Sequence, residues 1–197
     1  MIRQYTMFCK VLTFKKTGGK WYGQNMSISG KHSITCPACG SRGNCAAHGS
    51  YRRSLIDYEG GKVVYGTAAI RRVRCVSCGH SHAIVPDHII PYTTYSLLFI
   101  LRVLAWYFLG LGTVEQLCRR YAISPSMLYH WKVLFLAHKE IWLGVLKDDE
   151  TTPARFVQTL FCVPDYSNDF GRLFYQKAAR SFLQRHRDAA FFHGAVF

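Results

Sequence analysis

The sequence predicts an α+β protein with a β-rich zinc ribbon first, an all-α helix-turn-helix next and a small helical C-terminal region. Two observations lead to this prediction. Two Cys-x-x-Cys pairs enclose a segment of β-forming residues, and the apolar period becomes helical from Thr93 onward. The predicted units are a β-like lead-in, the ribbon with its hairpin and connector, the helix-turn-helix domain, and a linker with the C-terminal helical region, over residues 1–35, 36–91, 92–147 and 148–197.

A β-hairpin is predicted inside the ribbon. Tyr51–Tyr58 and Lys62–Arg74 are rich in β-forming residues, and between them lies Glu59-Gly60-Gly61, a glycine turn typical of hairpins. The lead-in contains a further β-like stretch, Tyr5–Phe14. The hairpin brings the segments before and after it together, and these segments carry the two cysteine pairs.

The paired cysteines predict a structural zinc site. Each pair stands on a tight turn that ends in glycine, so both sulfurs of a pair can reach one ion, and zinc takes four such ligands in a tetrahedron. The predicted ligands are Cys36, Cys39, Cys75 and Cys78. Two alternatives stay open: a second metal held by Cys45, His48, His80 and His82, or a ligand set in which Cys45 and His48 join the first pair.

Catalysis is not expected at this site. A catalytic zinc needs three protein ligands, an open position and a general base nearby, and the His-x-Glu motif that accompanies Pro-Cys-x-x-Cys in deaminases is missing. We therefore expect a protein that is not an enzyme.

Three helices are predicted after the ribbon. The first covers about 95–109; the second begins at Thr113, whose hydroxyl and Gln116 fit a capping box. The third begins at Ser124-Pro125 and is expected to continue to about Leu146. Weaker helical stretches follow, around Ala154–Val163 and Gly171–Arg187.

One of these helices raises the question of a membrane span. Tyr95–Gly112 is almost wholly apolar, but it is marginal in length and Arg102 lies near its middle. A central arginine costs about 2.5–3.5 kcal/mol on insertion scales. We therefore expect a buried helix at the core of the helical half, with a homodimer contact left open, and no membrane partner.

The charge of the chain favours nucleic acid. There are 25 Lys and Arg against 11 Asp and Glu, a formal net charge of +14, and the excess is concentrated in the cysteine-rich front half. On the ribbon we expect phosphate contacts from a row of arginines in which Arg52 lies across from Arg72 and Arg74. The full predicted row is Arg52, Arg53, Arg71, Arg72 and Arg74. Solvated strand surface is the plainer alternative.

The second and third helices have the spacing of a DNA-reading helix-turn-helix. In this motif the second of the two helices enters the major groove by its N-terminal half. The residues predicted to contact DNA are Arg119 and Arg120 on the preceding helix, and Ser124, Ser126, Met127, Tyr129, His130 and Lys132 on the reading helix. A plain helical hairpin with polar outer faces is the alternative.

The motifs CPACG, HGSYRRSLIDY, RRVRCVSCGHSHAIVPD and TVEQLCRRYAISPSMLYHW together resemble an uncharacterised bacterial family related to insertion-sequence transposases. The resemblance to that family extends over most of the chain, including VPDYS at 163–167 and SFLQ at 181–184, whereas the resemblance to true transposases covers about 36–146. It implies the four zinc cysteines given above, a reading helix at 125–135, and binding to double-stranded DNA at the ends of a mobile element.

The sequence departs from the transposases after the helices. Those enzymes continue into a domain with a carboxylate triad that holds two metal ions, and the three acids after the linker here are too few and too close for it. The expected function is therefore a zinc-containing DNA-binding regulator or mobile-element accessory. Alternatives are a transposase subunit that needs a recombinase partner and a zinc-dependent protein-interaction module. Because Met1–Lys10 lacks a signal-peptide pattern, a cytoplasmic, nucleoid-associated location is expected.

Overall fold

The computed structural model describes residues 8–9, 14–17, 20–23, 36, 38–85, 89–139, 141–142, 152–162 and 182–183. Six strands precede four helices in the described part, so the predicted α+β class is confirmed. The strands are β1 Phe8–Cys9, β2 Phe14–Thr17, β3 Lys20–Gly23, β4 Cys45–Glu59, β5 Lys62–Cys75 and β6 Ser81–Val85. The helices are α1 Leu97–Phe108, α2 Val114–Tyr121, α3 Pro125–Ala137 and α4 Pro153–Cys162.

The predicted hairpin is the centre of the sheet. Strands β4 and β5 are antiparallel over 15 and 14 residues, and Glu59 lies opposite Lys62 across the two-residue turn. Both turn residues, Gly60 and Gly61, have positive φ (54° and 81°), a conformation that glycine adopts without strain. One irregularity, between Ala47 and Ser50 of β4, shifts the register by one residue near the cysteines.

Other strands complete the sheet along the far edge of β5. Strand β6 is antiparallel to β5, with Val73 opposite His82, and β3 runs parallel to β5, with Lys20 opposite Thr67. Strand β1 is parallel to β6, and β2 is antiparallel to β3. Strands from the lead-in therefore belong to the same sheet as the hairpin. Strand β6 was not predicted from the sequence.

The helix boundaries agree with the capping signals. Thr113 and Gln116 form the predicted capping box at the start of α2, and Ser124 caps α3 with Pro125 in its first turn. Helix α3 ends earlier than expected, at Ala137, and a turn at His138 separates it from further helical residues at 139 and 141–142. The rest of the predicted extension to Leu146 lies outside the described residues.

Helix α1 forms the core of the helical half, as predicted. It buries seven of its twelve residues, and α2, α3 and α4 pack against it. Arg102, the one charge in this apolar helix, is exposed, and its guanidinium carbon lies 5.3 Å from the centre of the Tyr58 ring. None of the helices in the described ranges is long and apolar enough to cross a membrane.

The C-terminal prediction is tested only in part. Helix α4 confirms the predicted stretch at 154–163. Of the stretch predicted at 171–187, the structure describes Phe182 and Leu183, which form a buried turn rather than a helix. The remainder of that stretch lies outside the described residues.

The side chains of Arg53 and Asp57 join the hairpin to the helical half by polar contacts. The guanidinium of Arg53 donates hydrogen bonds to the carbonyl oxygens of Ile90, at 2.9 Å, and of Thr93. Asp57 is buried on β4 and accepts a hydrogen bond from Ser96, the N-cap residue of α1. Because both contacts bridge the two halves, they fix the position of the helices relative to the hairpin.

Candidate metal centre and nucleic-acid interface

The two cysteine pairs form turns of the same design. In each turn the backbone N–H of the glycine donates to the carbonyl of the first cysteine: Gly40 to Cys36 at 2.7 Å and Gly79 to Cys75 at 2.9 Å. The N–H of the first cysteine donates to a carbonyl five residues later, at 2.8 and 2.9 Å respectively. Gly40 and Gly79 have φ values of 74° and 72°, which explains why glycine ends both turns.

These turns bring four sulfurs together. The Sγ atoms of Cys36, Cys39, Cys75 and Cys78 all lie within 4.8 Å of one another. The Sγ–Sγ distance is 3.6 Å between Cys36 and Cys78, and 3.7 Å between Cys39 and Cys75. A tetrahedral zinc–thiolate site with bonds of about 2.3 Å has sulfurs about 3.8 Å apart, so the cluster has the dimensions of such a site. The four cysteines could therefore coordinate a metal ion.

The pKa values of the cluster thiols differ. Against the lowering effect of a hydrogen bond from the Ser41 backbone, burial and the neighbouring cysteines raise the pKa of the Cys39 thiol to about 12. A hydrogen bond from the backbone N–H of Cys78 lowers the pKa of the Cys75 thiol to about 6, so this sulfur is readily present as the thiolate that metals bind. In contrast, burial raises the pKa of the Cys45 thiol to about 11. Cys45 lies directly opposite Cys75 on the neighbouring strand, outside the group of four.

The other residues considered for metal binding do not gather into a second site among the described residues. His48 and His80 are exposed. His82 is buried beside the four-cysteine cluster, with its Nε2 atom 3.4 Å from the Cys36 sulfur. This imidazole is placed to donate to a metal-bound thiolate, which is a common supporting contact around metal ligands.

Helices α2 and α3 meet in a tight helix-turn-helix arrangement. The backbone of Ala122 is left-handed (φ 50°), and Ile123 is buried at the junction. The N-terminal half of α3 packs inward through Met127, Leu128 and Trp131.

One side of α3 is left exposed. We call the exposed residues Ser126, Tyr129, His130 and Val133 the outer face of α3; they follow helical spacing, and Tyr129 and Val133 are 45% and 66% exposed. Ser124, at the N-cap, is also exposed, and its hydroxyl accepts a hydrogen bond from the N–H of Met127. Four of the six α3 residues predicted to contact DNA are therefore accessible.

Two residues predicted on this surface point elsewhere. Met127 is partly buried in the helical core, and its sulfur lies 3.6 Å from the hydroxyl of Tyr95. Lys132 is half-buried, and its ammonium donates to the hydroxyl of Tyr107 on α1 at 2.7 Å. The sequence assigned both to DNA because helical spacing alone does not show where α1 covers α3.

The arginines of α2 have different surroundings. Arg119 is exposed and forms an ion pair with Glu115 at 2.7 Å, one turn earlier. Arg120 lies over the ring of Trp106, with its guanidinium carbon 4.8 Å from the ring centre. Both remain at the surface, but each already has a partner within the chain.

The predicted arginine row on the hairpin is wrong in its arrangement. Arg52 lies opposite Ala69, and Arg71 lies opposite Ser50. Because strand residues alternate between faces, Arg52 shares a face with Arg71, whereas Arg72 and Arg74 lie on the other side. Arg74 donates instead to the carbonyl of Gly79 at 3.1 Å and supports the second cysteine turn.

Arg53 is a further correction. The sequence placed it with the phosphate-binding row, but its guanidinium is half-buried and bound to backbone carbonyls of the connector. Sequence reasoning also missed Asp57 and Ser96, which join the hairpin to α1. An acidic residue in a strand otherwise rich in apolar side chains was the available signal for Asp57.

Comparison with known proteins adds one finding. The model of a family described as a domain of unknown function, DUF6431, matches residues 36–116. The matched region begins at the first cysteine turn and includes the hairpin, β6, α1 and the start of α2. No curated protein and no solved structure matches the chain significantly.

Proposed function

We propose that this protein binds double-stranded DNA, with α3 reading the bases and a zinc ion holding the ribbon together. The observation on which this rests is the outer face of α3. It is exposed on the second helix of a tight helix-turn-helix, and its Ser, Tyr and His side chains can bond to phosphates or base edges. The net charge of +14 favours the same polyanionic partner.

We propose zinc as the ion because the donor set is four thiolates at tetrahedral spacing. Zinc and iron both accept four cysteines, but paired turns on a β-hairpin are typical of zinc ribbons. Four protein ligands leave no open position for a reacting water, so the proposed role of the ion is structural. The protein itself is then not an enzyme.

The biological role we propose is that of a regulator or an accessory of a mobile element. The resemblance of the ribbon and helix motifs to the DNA-binding region of insertion-sequence transposases supports it. A non-catalytic transposase subunit, working with a separate recombinase, fits the same surface. A recombinase gene beside this one and co-purification of the two proteins would favour the subunit.

A second candidate function is protein interaction. Val133 and Leu136 are exposed apolar residues on α3, and these favour a protein contact at its C-terminal half. The partner in that case is a protein rather than DNA, and affinity for random duplexes is then weak.

The experiment that tests the proposal is selection of bound sequences from random duplexes by the zinc-loaded protein. A recurring sequence is expected. Tyr129→Ala and His130→Ala should each then weaken binding to that sequence by about 1–3 kcal/mol per lost base contact, with little effect on a scrambled duplex. Failure to enrich any sequence, or equal losses on both duplexes, would show that α3 is not the reading element.

A further inference from the structure

Among the described residues, one face of the hairpin is packed at both of its ends and exposed between them. At the turn end, Ile56, Tyr58 and Val63 pack into the core of the helices. At the cysteine end, Val73 and Cys75 pack against the first cysteine turn. Alternation along β5 places Val63, Val73 and Cys75 on the same face, and the register adds Ile56 and Tyr58 to it.

The residues in the middle of this face are exposed. We call this middle part the open face; it consists of Ser50, Arg52 and Ser54 on β4 and Thr67, Ala69 and Arg71 on β5. Tyr65, 71% exposed, lies between the open face and the helices. From Tyr65 to Arg71 the strand extends about 20 Å at 3.3 Å per residue.

The open face lies on the same side of the hairpin as α3. Tyr95 forms a parallel bridge with Ile56, which pairs with Tyr65, so the three residues share one face. The Tyr95 ring centre is 5.0 Å from that of Trp131, and its hydroxyl contacts Met127, so the first half of α3 packs at this end. Helix α3 therefore packs on the face of the hairpin that carries the open face.

The charged residues of the open face are both basic. Its two charged side chains are Arg52 and Arg71, which are diagonal neighbours on the paired strands, roughly 7–8 Å apart at their Cα atoms. The remaining positions are Ser, Thr and Ala, and none of the six is acidic. Hydroxyls between two arginines provide donors for phosphate oxygens and little apolar surface for a protein partner.

We propose that the open face binds the sugar–phosphate backbone of the same duplex that α3 reads. This inference rests on the proposed function of α3. Arg53 and Asp57 join the hairpin to the helical half by hydrogen bonds, so the open face and α3, which lie on one side of the hairpin, can contact one DNA molecule together. The helix then supplies sequence preference, and Arg52 and Arg71 supply affinity that is independent of sequence.

The test compares the two faces of the hairpin. Binding of a random-sequence duplex is measured by fluorescence anisotropy at several salt concentrations, using the zinc-loaded full chain. Arg52→Gln/Arg71→Gln removes two charges from the open face, and Lys62→Gln/Arg72→Gln removes two from the opposite face. Each lost phosphate contact reduces the slope of log affinity against log salt by about 0.9, so the open-face variant should lose about two units. The opposite-face variant should keep the wild-type slope.

Two further measurements separate the outcomes. Arg52→Lys/Arg71→Lys keeps the charge and should keep most of the slope, while zinc content and melting temperature show that each variant is folded. Equal slopes for folded wild type and open-face variant overturn this inference. If α3 variants still lose sequence preference in that case, the proposed function stands. If the wild type binds no duplex, both fail.

Discussion

The hydroxyl of Ser96 donates a hydrogen bond to the buried carboxylate of Asp57 at 2.9 Å and accepts one from the N–H of Phe99 at 3.0 Å. One side chain thus caps α1 and binds it to β4. The same carboxylate oxygen accepts from the backbone N–H of Tyr58 at 2.8 Å. Because Ser96 and Asp57 are both buried, the contact is protected from water and its loss leaves polar atoms without compensation.

A double-mutant cycle should detect this link. Ser96→Ala removes the cap and the bridge together, and we expect the free energy of unfolding to fall by about 1–3 kcal/mol. Combined with Asp57→Asn, the losses should be non-additive by about 0.5–3 kcal/mol in denaturant titrations. Ser124→Ala, which removes the exposed cap of α3, is the control: it should cost about 1 kcal/mol and add independently to Asp57→Asn. Additive losses for Ser96 and Asp57 would contradict the link.

Substitution of Arg53 should lower the free energy of unfolding more than substitution of its neighbour Arg52. Arg53→Ala leaves the carbonyls of Ile90 and Thr93 without their charged donor, and we expect a loss of about 2–3 kcal/mol in the free energy of unfolding. Arg52→Ala changes an exposed side chain and should stay within about 0.5 kcal/mol of wild type. Chemical denaturation of both variants measures this. Equal stability of the two variants would mean that the hydrogen bonds of Arg53 to Ile90 and Thr93 do not stabilise the fold.

Substitution of Cys75 should remove zinc, whereas substitution of Cys45 on the neighbouring strand should not. Cys75→Ser removes one of four ligands, so zinc content should fall well below one ion per chain and the ribbon should lose its structure. Cys45→Ser changes the residue directly opposite, which is outside the cluster, and should keep a full zinc content. Elemental analysis with circular dichroism measures both properties. Retention of zinc in Cys75→Ser, or its loss in a folded Cys45→Ser, would require another ligand set.

Substitutions on the inner side of α3 should affect stability, and substitutions on its outer face should affect DNA binding. Lys132→Met removes the hydrogen bond to Tyr107 and should lower the free energy of unfolding by about 1–2 kcal/mol, with little effect on sequence preference. His130→Ala lies on the outer face and should affect preference with stability nearly unchanged. Thermal unfolding and titration of selected against scrambled duplexes distinguish the two. A reversal of these effects would mean that the other side of α3 meets DNA.

Local signals account for the elements that the sequence predicted well. The hydroxyl of Thr113, the proline after Ser124 and the two glycines of the turn each act within a few residues, so the starts of α2 and α3 and the turn between β4 and β5 followed from sequence. The cysteine spacing predicted the four-sulfur cluster for the same reason.

The directions in which side chains point were harder to predict, because they depend on packing against residues far away in the sequence. Lys132 and Met127 face inward because α1 and Tyr95 lie beside them, and no local pattern reveals those neighbours. The parallel pairing of β3 with β5 joins segments far apart in sequence. The face of Arg52 is a different case: counting back from the two-residue turn places it opposite Ala69, so the register was available from the sequence.

The Gly60-Gly61 turn has a consequence for how the chain reaches this arrangement. A hairpin with a two-residue turn closes locally, in about 1–10 μs, whereas Cys36 and Cys78 are 42 residues apart and must meet afterwards. If the two strands paired one residue out of register, the faces of one strand would be reversed relative to the other. Asp57 would then point away from Ser96, and Cys75 away from the first cysteine turn. The metal ligands at one end and the Asp57–Ser96 bond at the other can therefore form only in the native register. Contacts made late in folding thus stabilise the correct hairpin over one whose strands are shifted.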